Sequence, residues 1–223
     1  MLKIERTVLP STGQWDIIIE GLRNPMNSWA KSDSYTTHIE NPETLNTADF
    51  EFFLGDADHD LMMRLAKAGT THAKYRRMIP VFVTINAPLY WWKEFDTYKV
   101  GTVANSCSTM HKIHAKEFTL DDFSHEHLNS SAVEILDDIV RCLNIYRGMF
   151  ITTKDKSYWW QMIQLLPASY NQKRTVLLNY EVLANIYPTR KNHKLDEWHT
   201  FCRWIESLPH SEIVIGESEV VRE

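Results

Sequence analysis

The sequence has little glycine, few cysteines and no long apolar run. Only 7 of its 223 residues are glycine, which argues against glycine-rich loops that cradle phosphate groups. Its three cysteines are far apart and form no Cys-x-x-Cys pair, so a disulfide framework and a zinc ribbon are excluded and a reducing cytoplasm is expected. No segment approaches the ~18 apolar residues that cross a bilayer, and the N-terminus lacks the apolar stretch of a signal peptide. We therefore expect a soluble protein without a membrane partner.

An excess of positive charge is also lacking. Lys and Arg number 24 and Asp and Glu 29, which gives a net charge of −5 and makes a nucleic-acid partner unexpected. Hydrophobic residues make up 43% of the chain, which excludes wholesale disorder. The length predicts one domain over residues 1–223. Eight tryptophans favour a large core or a subunit interface.

Hydrophobic periodicity predicts early strands followed by a helical second half, which is an α+β fold. We predict strands over residues 15–22, 79–85 and 213–215, with Pro80 at the start or on an edge, and a loop over 102–110. We predict helices over 59–68, 87–100, 157–166, 173–187 and 195–208, a short one within 24–34, and a long amphipathic one capped by Ser130 or Ser131.

The motifs of common hydrolases and metal sites are missing. There is no His-Glu-x-x-His and no Gly-x-Ser-x-Gly motif. The close histidine pairs at 111/114 and 125/127 lack cysteine support, and we interpret them as surface or packed residues rather than metal ligands. Cys107 lies in a polar loop shortly before His111, where nearby cations could produce a thiolate nucleophile; a small space-filling residue is the alternative.

Asn179, Asn185 and Arg190 form the more informative pattern. The two asparagines lie six residues apart within a predicted helix, although asparagine is a mediocre helix former that often prefers caps. With Arg190 just beyond Pro188, they could converge on one polar ligand. The alternative is a pair of solvated polar positions.

In this order the segments resemble the flavin-dependent thymidylate synthase family of the ThyX type, over roughly residues 15–208. The C-terminal half of that family carries Leu-Pro followed by Asn, Leu, Asn and Arg at fixed offsets. Those offsets are occupied here by Leu166-Pro167, Asn179, Leu183, Asn185 and Arg190.

The family's signature, Arg-His-Arg-x-x-Ser-x-Asn-Glu-x-Ser-x-Arg-Tyr after an Ala-Pro, is largely replaced. Aligned from Ala87-Pro88, its Arg-His-Arg becomes Thr97-Tyr98-Lys99, and its nucleotide-binding Arg becomes Thr109, or Met110 after a one-residue slip. Threonine cannot replace a guanidinium that holds phosphate bidentately. Lys99, helped by Lys93 one helical turn earlier, could replace one cation.

The resemblance implies a ThyX-like α+β fold, with an antiparallel sheet and a helical second half, assembled as a homotetramer with flavin at its interfaces. It implies reductive one-carbon transfer to C5 of dUMP or a related pyrimidine nucleotide, with FAD as cofactor and NADPH and methylenetetrahydrofolate as cosubstrates. The implied flavin contacts are Asn179, Asn185, Lys99, His72 and Ser32, and the implied nucleotide contacts are Arg190, Asn105, Ser106, Cys107 and Ser108. Two alternatives stay open: a non-catalytic relative that binds a nucleotide or a protein partner, and an unrelated α+β enzyme that uses Cys107 with His111.

Overall fold

The computed structural model describes residues 1–39 and 49–216, which form helices and antiparallel strands. The strands are β1 (Lys3–Val8), β2 (Tyr35–Ile39), β3 (Asp49–Phe53), β4 (Pro80–Pro88), β5 (Val103–Ser106) and β6 (Asn171–Asn179). The α-helices are α1 (Thr12–Arg23), α2 (Asp56–Lys67), α3 (Leu89–Phe95), α4 (Ser130–Thr153), α5 (Lys156–Leu165), α6 (Tyr180–Arg190), α7 (Asp196–Glu206) and α8 (Glu212–Ile215). Short 3-10 helices lie at Asn24–Met26, Trp29–Lys31, Lys74–Met78 and Leu120–Asp122.

The main sheet has the strand order β1-β4-β6-β5, and each strand is antiparallel to its neighbours. β4 and β6 form its centre and pair from Pro80 opposite Asn179 to Pro88 opposite Asn171. β5 is an edge strand whose four residues are all exposed. β2 and β3 form a separate antiparallel pair. The predicted α+β class with an antiparallel sheet is confirmed.

One face of the main sheet packs against α1, α2, α3, α6 and α7 around a large apolar cluster. The aromatic side chains of α3 and α7 lie at its centre, where Trp91, Trp92 and Trp198 are fully buried. The centroids of the Trp91 and Trp198 rings are 4.9 Å apart. A second apolar cluster joins α4 and α5 to Phe123 and Tyr170. The aromatic face of α3 therefore belongs to the core and packs against α7.

The strand predicted over residues 15–22 is wrong, because these residues belong to α1. A capping box closes the start of α1: Ser11 Oγ accepts from the Gln14 N–H, and the Gln14 side chain accepts from the Ser11 N–H. Trp15, Ile18 and Leu22 are buried, whereas Ile17 is 58% exposed, which is the periodicity of a helix.

The helix predicted over residues 173–187 is wrong in its first half. Residues up to Asn179 form β6, which is hydrogen-bonded between β4 and β5. Asn179 caps the helix that follows, since its Oδ1 accepts from the Val182 N–H at 3.0 Å. Pro188 lies inside the last turn of α6 rather than after it.

Other boundaries were predicted with mixed success. The loop over 102–110 contains β5, the strand over 213–215 is the short helix α8, and the cap of α4 is Asn129 rather than Ser130 or Ser131. The predictions for α2, α5 and α7 are confirmed to within a few residues, and Pro80 begins β4 as expected. Within residues 1–39 and 49–216, no helix has the length and apolar character needed to cross a membrane.

Candidate functional site

Helix α6 and the segment that follows α3 meet at one surface. At the C-terminal end of α6, Arg190 Nε donates to Tyr98 Oη at 2.8 Å. At the N-terminal end, a Cβ on Gly101 would lie 3.2 Å from Asn179 Nδ2, and Gly101 has a φ of +77°, which favours glycine. Segment 98–101 therefore runs along α6. We call this part of the molecule the α6 wall; it comprises residues 98–101, Asn179 and Arg190 at the two ends of the helix, and Asn185, which is exposed between them about 120–140° further around the helix.

Arg190 is held by groups of the chain itself. Its Nη1 donates to Glu94 Oε2 at 2.8 Å, and its guanidinium carbon lies 4.6 Å from the centroid of the Trp198 ring. The same carboxylate oxygen accepts from Trp198 Nε1 at 2.8 Å and lies 3.4 Å from His193 Nε2. Only 16% of the Arg190 side chain is exposed, against 35% for Glu94. The positive charge of Arg190 is thus neutralised before any ligand arrives.

Glu94 belongs to this site, although no sequence motif pointed to it. It lies at the end of α3, 96 residues before Arg190, and no local motif links the two. Its neighbour Lys93, which the sequence offers as a helper for Lys99, is exposed. Only the packing of α3 against α6 and α7 brings this carboxylate to Arg190.

The two asparagines have different surroundings. Asn179 ends β6 and uses its Oδ1 as the cap of α6. Asn185 is exposed on α6, and within the described ranges its side chain makes no hydrogen bond. An unengaged side-chain amide offers one acceptor and two donors to a ligand. Lys99 is also exposed, and its ammonium forms no ion pair with any described residue.

The predicted nucleotide loop lies on the exposed edge strand. Asn105 and Ser106 lie opposite Thr175 and Arg174 of β6. The Cys107 N–H donates to the Lys173 carbonyl at 2.9 Å, which continues the pairing one residue beyond β5. Ser108 Oγ accepts from the His111 N–H at 2.8 Å, so the loop turns back on itself here.

Arg174 joins this edge to α3. Its Nη1 donates to Asp96 Oδ1 at 2.7 Å, and its guanidinium carbon lies 4.3 Å from the centroid of the Trp92 ring. Only 15% of its side chain is exposed. Like Arg190, this cation is paired with a carboxylate from the end of α3, and the sequence analysis did not single it out.

Ser32 and His72 lie elsewhere. Ser32 Oγ donates to Asp58 Oδ2 at 2.7 Å, within the network that surrounds the buried Asp58 carboxylate. His72 is exposed in the turn after α2, where its N–H donates to the Gly69 carbonyl at 2.9 Å. No hydrogen bond or ion pair among the described residues links either one to Arg190. The structure therefore brings segment 98–101, with Lys99, to Asn179 and Arg190, with Asn185 on the same helix and residues 105–108 on the edge strand. Ser32 is bound instead within the Asp58 network, and His72 lies in the turn after α2.

The free polar groups on the α6 wall are the Asn185 amide and the Lys99 ammonium. The amide can both donate to and accept from a polar ligand. Of the cations on or beside the wall, Arg174 and Arg190 are already paired, whereas Lys99 is free of any described carboxylate. No three His, Cys, Asp or Glu side chains in the described part of the chain are grouped to hold a metal ion.

Comparison with known proteins identifies the fold. No protein-family model matches the chain, and no curated protein matches it by sequence. The structure is similar to a crystal structure of thymidylate synthase X (ThyX) from Helicobacter pylori with FAD and dUMP, with a TM-score of 0.64 and 15% identity over 99% of both chains. A second structure of H. pylori flavin-dependent thymidylate synthase ThyX with FAD and dUMP gives a TM-score of 0.64 and 15% identity over 97% of this chain and 98% of that one. This chain therefore has the fold of the flavin-dependent thymidylate synthase ThyX.

Proposed function

We propose that the protein is a flavin-dependent enzyme that transfers a one-carbon unit reductively to C5 of dUMP or a related pyrimidine nucleotide. The observation that carries this proposal is the α6 wall: Asn179 at the cap of α6 and Arg190 at its end flank segment 98–101, and Asn185 is exposed on the helix between them. Support comes from the fold, since both similar structures bind FAD and dUMP. FAD is the proposed cofactor, with NADPH and methylenetetrahydrofolate as cosubstrates.

The residues of the α6 wall have separable roles in this proposal. A bound reduced flavin supplies the hydride, so the protein has to bind and orient rather than provide a nucleophile. The Asn185 amide would hold the ring edge, and Lys99 would pair with a phosphate as a point charge. Arg190 would contact the nucleotide while it keeps its bond to Glu94. Residues 105–108, on the exposed edge beside Arg174, would line the nucleotide's other side.

The flavin test uses an exposed residue, so that folding is not affected. The protein is incubated with FAD, separated from free FAD by gel filtration, and its visible spectrum is recorded. We expect a flavin band in the wild type and a clearly weaker one in Asn185→Ala. Gln161→Ala, which removes an exposed amide from α5, is the matched control and should bind FAD like the wild type. A colourless wild type after this treatment contradicts the proposal.

A second candidate is a non-catalytic relative that binds a nucleotide without flavin. The pairing of Arg190 with Glu94 and of Arg174 with Asp96 favours a relative without catalysis, because two cations that could hold the phosphates of a flavin are already engaged by carboxylates. Calorimetric titration with dUMP, with and without FAD, separates the two candidates. Binding of dUMP to a protein that never takes up FAD supports the second one.

We also propose that the protein assembles as a homotetramer. Large apolar side chains are exposed along α4 and at the end of α5, including Ile135, Ile145, Met149 and Leu165. Such exposed apolar residues are typical of interfaces when they lie together on one element. Light scattering coupled to gel filtration should give about four times the subunit mass of 26.2 kDa. A monomer in this measurement contradicts the tetramer.

A further inference from the structure

A large cavity lies between α2, α8 and the 3-10 helix Trp29–Lys31. Its volume is about 1020 Å³. No residue of the α6 wall lines it. This volume is at the upper end of the range for pockets that bind small molecules and is far larger than a single inorganic anion needs. The cavity is therefore a candidate site separate from the proposed flavin site.

Several cationic side chains line the cavity, and three of them form no ion pair with a described residue. Lys31, Arg64 and Lys67 line the cavity and are exposed, and in the described part of the chain none of them forms an ion pair. Arg64 and Lys67 are three residues apart on α2, so they share one face of that helix. Three cations around one cavity that form an ion pair with no residue of 1–39 or 49–216 favour an anionic occupant.

Arg23 provides an independent indication of a missing acceptor. It lines the same cavity, yet it is only 4% exposed. Its Nε donates to Asp58 Oδ1 at 2.6 Å, whereas its buried Nη2 has no hydrogen-bond partner among the described residues. A buried donor without an acceptor is unfavourable, and an oxygen of a bound anion would satisfy it.

The lining also holds two carboxylates, Asp60 and Glu212. With Arg23 paired to Asp58 and Arg76 paired to Glu181, the three remaining cations exceed these two carboxylates by one charge. Arg76 is already used, since its Nε donates to Glu181 Oε2 at 2.7 Å and its Nη1 donates to the Ile213 carbonyl at 3.2 Å. Glu212 is engaged by His59, whose Nε2 lies 2.9 Å from Glu212 Oε1. Asp60 is the remaining acidic residue of the lining.

The remaining lining is apolar. It consists of Ala57, Met63, Ala66, Ile213, Val214, Ile215 and Gly216. A ligand that fills the cavity would therefore place a charged group against the cations and an uncharged, hydrophobic part against these side chains. Inorganic phosphate alone would leave the apolar part of the lining without a contact.

We propose that this cavity binds a small phosphate ester with an apolar or aromatic body, whose phosphate lies among Arg23, Lys31, Arg64 and Lys67. The site adds a second ligand to the protein and does not depend on flavin binding. Phosphate fits because it offers several acceptor oxygens to guanidinium and ammonium groups at once.

Methionine-methyl NMR of the full chain provides the test, because Met63 lines the cavity. Protein labelled with ¹³C at its methionine methyl groups is titrated with phenyl phosphate, inorganic phosphate and phenol, and the Met63 signal is assigned with Met63→Leu. We expect phenyl phosphate to shift the Met63 signal saturably. Inorganic phosphate and phenol should each require at least about tenfold higher concentration.

A charge variant and a matched control complete the experiment. Arg64→Gln/Lys67→Gln should weaken phenyl phosphate binding about tenfold or more, whereas Lys3→Gln/Arg6→Gln, which removes the same charge from exposed positions on β1, should leave it unchanged. Phenyl phosphate that leaves the Met63 signal unmoved overturns the proposal, and so does equal binding by phenol or equal weakening in both variants. Inorganic phosphate that binds as tightly as phenyl phosphate overturns the apolar part of the assignment.

The same variants separate this proposal from the proposed function. Arg64→Gln/Lys67→Gln should take up FAD like the wild type, because neither residue belongs to the α6 wall. Loss of FAD uptake in this variant would show that the cavity belongs to the flavin site, which overturns a separate ligand. A wild type that binds phenyl phosphate at Met63 but never binds FAD would support this site and contradict the flavin enzyme.

Discussion

Replacing Glu94 tests how Arg190 is held, and with it the character of the α6 wall. Glu94 Oε2 accepts hydrogen bonds from Arg190 Nη1 and from Trp198 Nε1, each at 2.8 Å. Trp198 is fully buried, so its indole N–H has no access to water. Glu94→Gln keeps an acceptor for this N–H and removes the charge, whereas Glu94→Ala removes both.

The size of each effect follows from burial. Glu94 is 35% exposed and Arg190 16%, so the pair lies between an exposed ion pair, worth about 0–1 kcal/mol, and a buried pair whose disruption costs about 3–5 kcal/mol. We therefore expect Glu94→Gln to lower the free energy of unfolding by about 1–2 kcal/mol. For Glu94→Ala we expect about 3 kcal/mol, because the buried Trp198 N–H then has no acceptor.

The same change should alter ligand binding in the opposite direction. Without the Glu94 carboxylate, the charge of Arg190 is free to pair with an anionic nucleotide. We expect Glu94→Gln to bind dUMP about tenfold more tightly than the wild type in calorimetric titration.

Urea unfolding followed by circular dichroism measures the stability, with exposed Glu134→Gln on α4 as the control for loss of one carboxylate. The reasoning is refuted if Glu94→Gln has the stability and the dUMP affinity of the wild type. It is also refuted if Glu94→Ala is no less stable than Glu94→Gln.

Three further predictions concern stability. Asp58 is fully buried and accepts from a buried arginine, two serine hydroxyls and two backbone N–H groups, so Asp58→Asn should lower the free energy of unfolding in urea by about 3–5 kcal/mol; a loss below about 1 kcal/mol would contradict this. Burial raises the pKa of the Glu212 carboxyl, but hydrogen bonds from His210 and His59 outweigh it and lower the pKa from the ordinary 4.5 to about 2. Glu212 therefore contributes stability that is present above about pH 4.5 and lost as the pH falls towards 2. In Glu212→Gln, the free energy of unfolding should fall by about 1–2 kcal/mol less over this pH range than in the wild type. The same pH dependence of the free energy of unfolding in both proteins would contradict this role of Glu212. Asn179→Ala removes the cap of α6 and should lower the thermal unfolding midpoint by an amount equivalent to about 1 kcal/mol, whereas an unchanged midpoint would show that the cap contributes nothing.

Several elements could be predicted because their signals are local. Gly69, with its φ of +98°, follows α2 as a helix stop, and Pro167 follows α5. The apolar stripe of α7, with Trp198, Phe201 and Ile205, is also a property of spacing along the chain. The helix α1 was predicted wrongly although its capping box and its period of buried residues were both present in the sequence.

Strand β6 could not be predicted from local signals. Its short run of alternating and apolar residues fits either a strand or part of a helix, and the choice depends on strands that are distant in the chain. Hydrogen bonds to β4 on one side and β5 on the other make it the centre of the sheet. Once β6 ends at Asn179, the two asparagines cannot share a helix interior, because the first is the cap of the helix that carries the second.

By itself, the sequence determined the apolar faces of α2, α5 and α7, their stops at Gly69 and Pro167, and the spacing from Asn179 to Arg190 that pointed to a polar site. Only the tertiary structure decided which charges meet there. Glu94 approaches Arg190 across 96 residues because α3 packs against α6 and α7, and Arg23 and Lys31 join Arg64 around one cavity for a similar reason. Spacing along the chain specifies which side chains share a helix face, whereas the pairing of charges depends on distances between elements, which only packing sets.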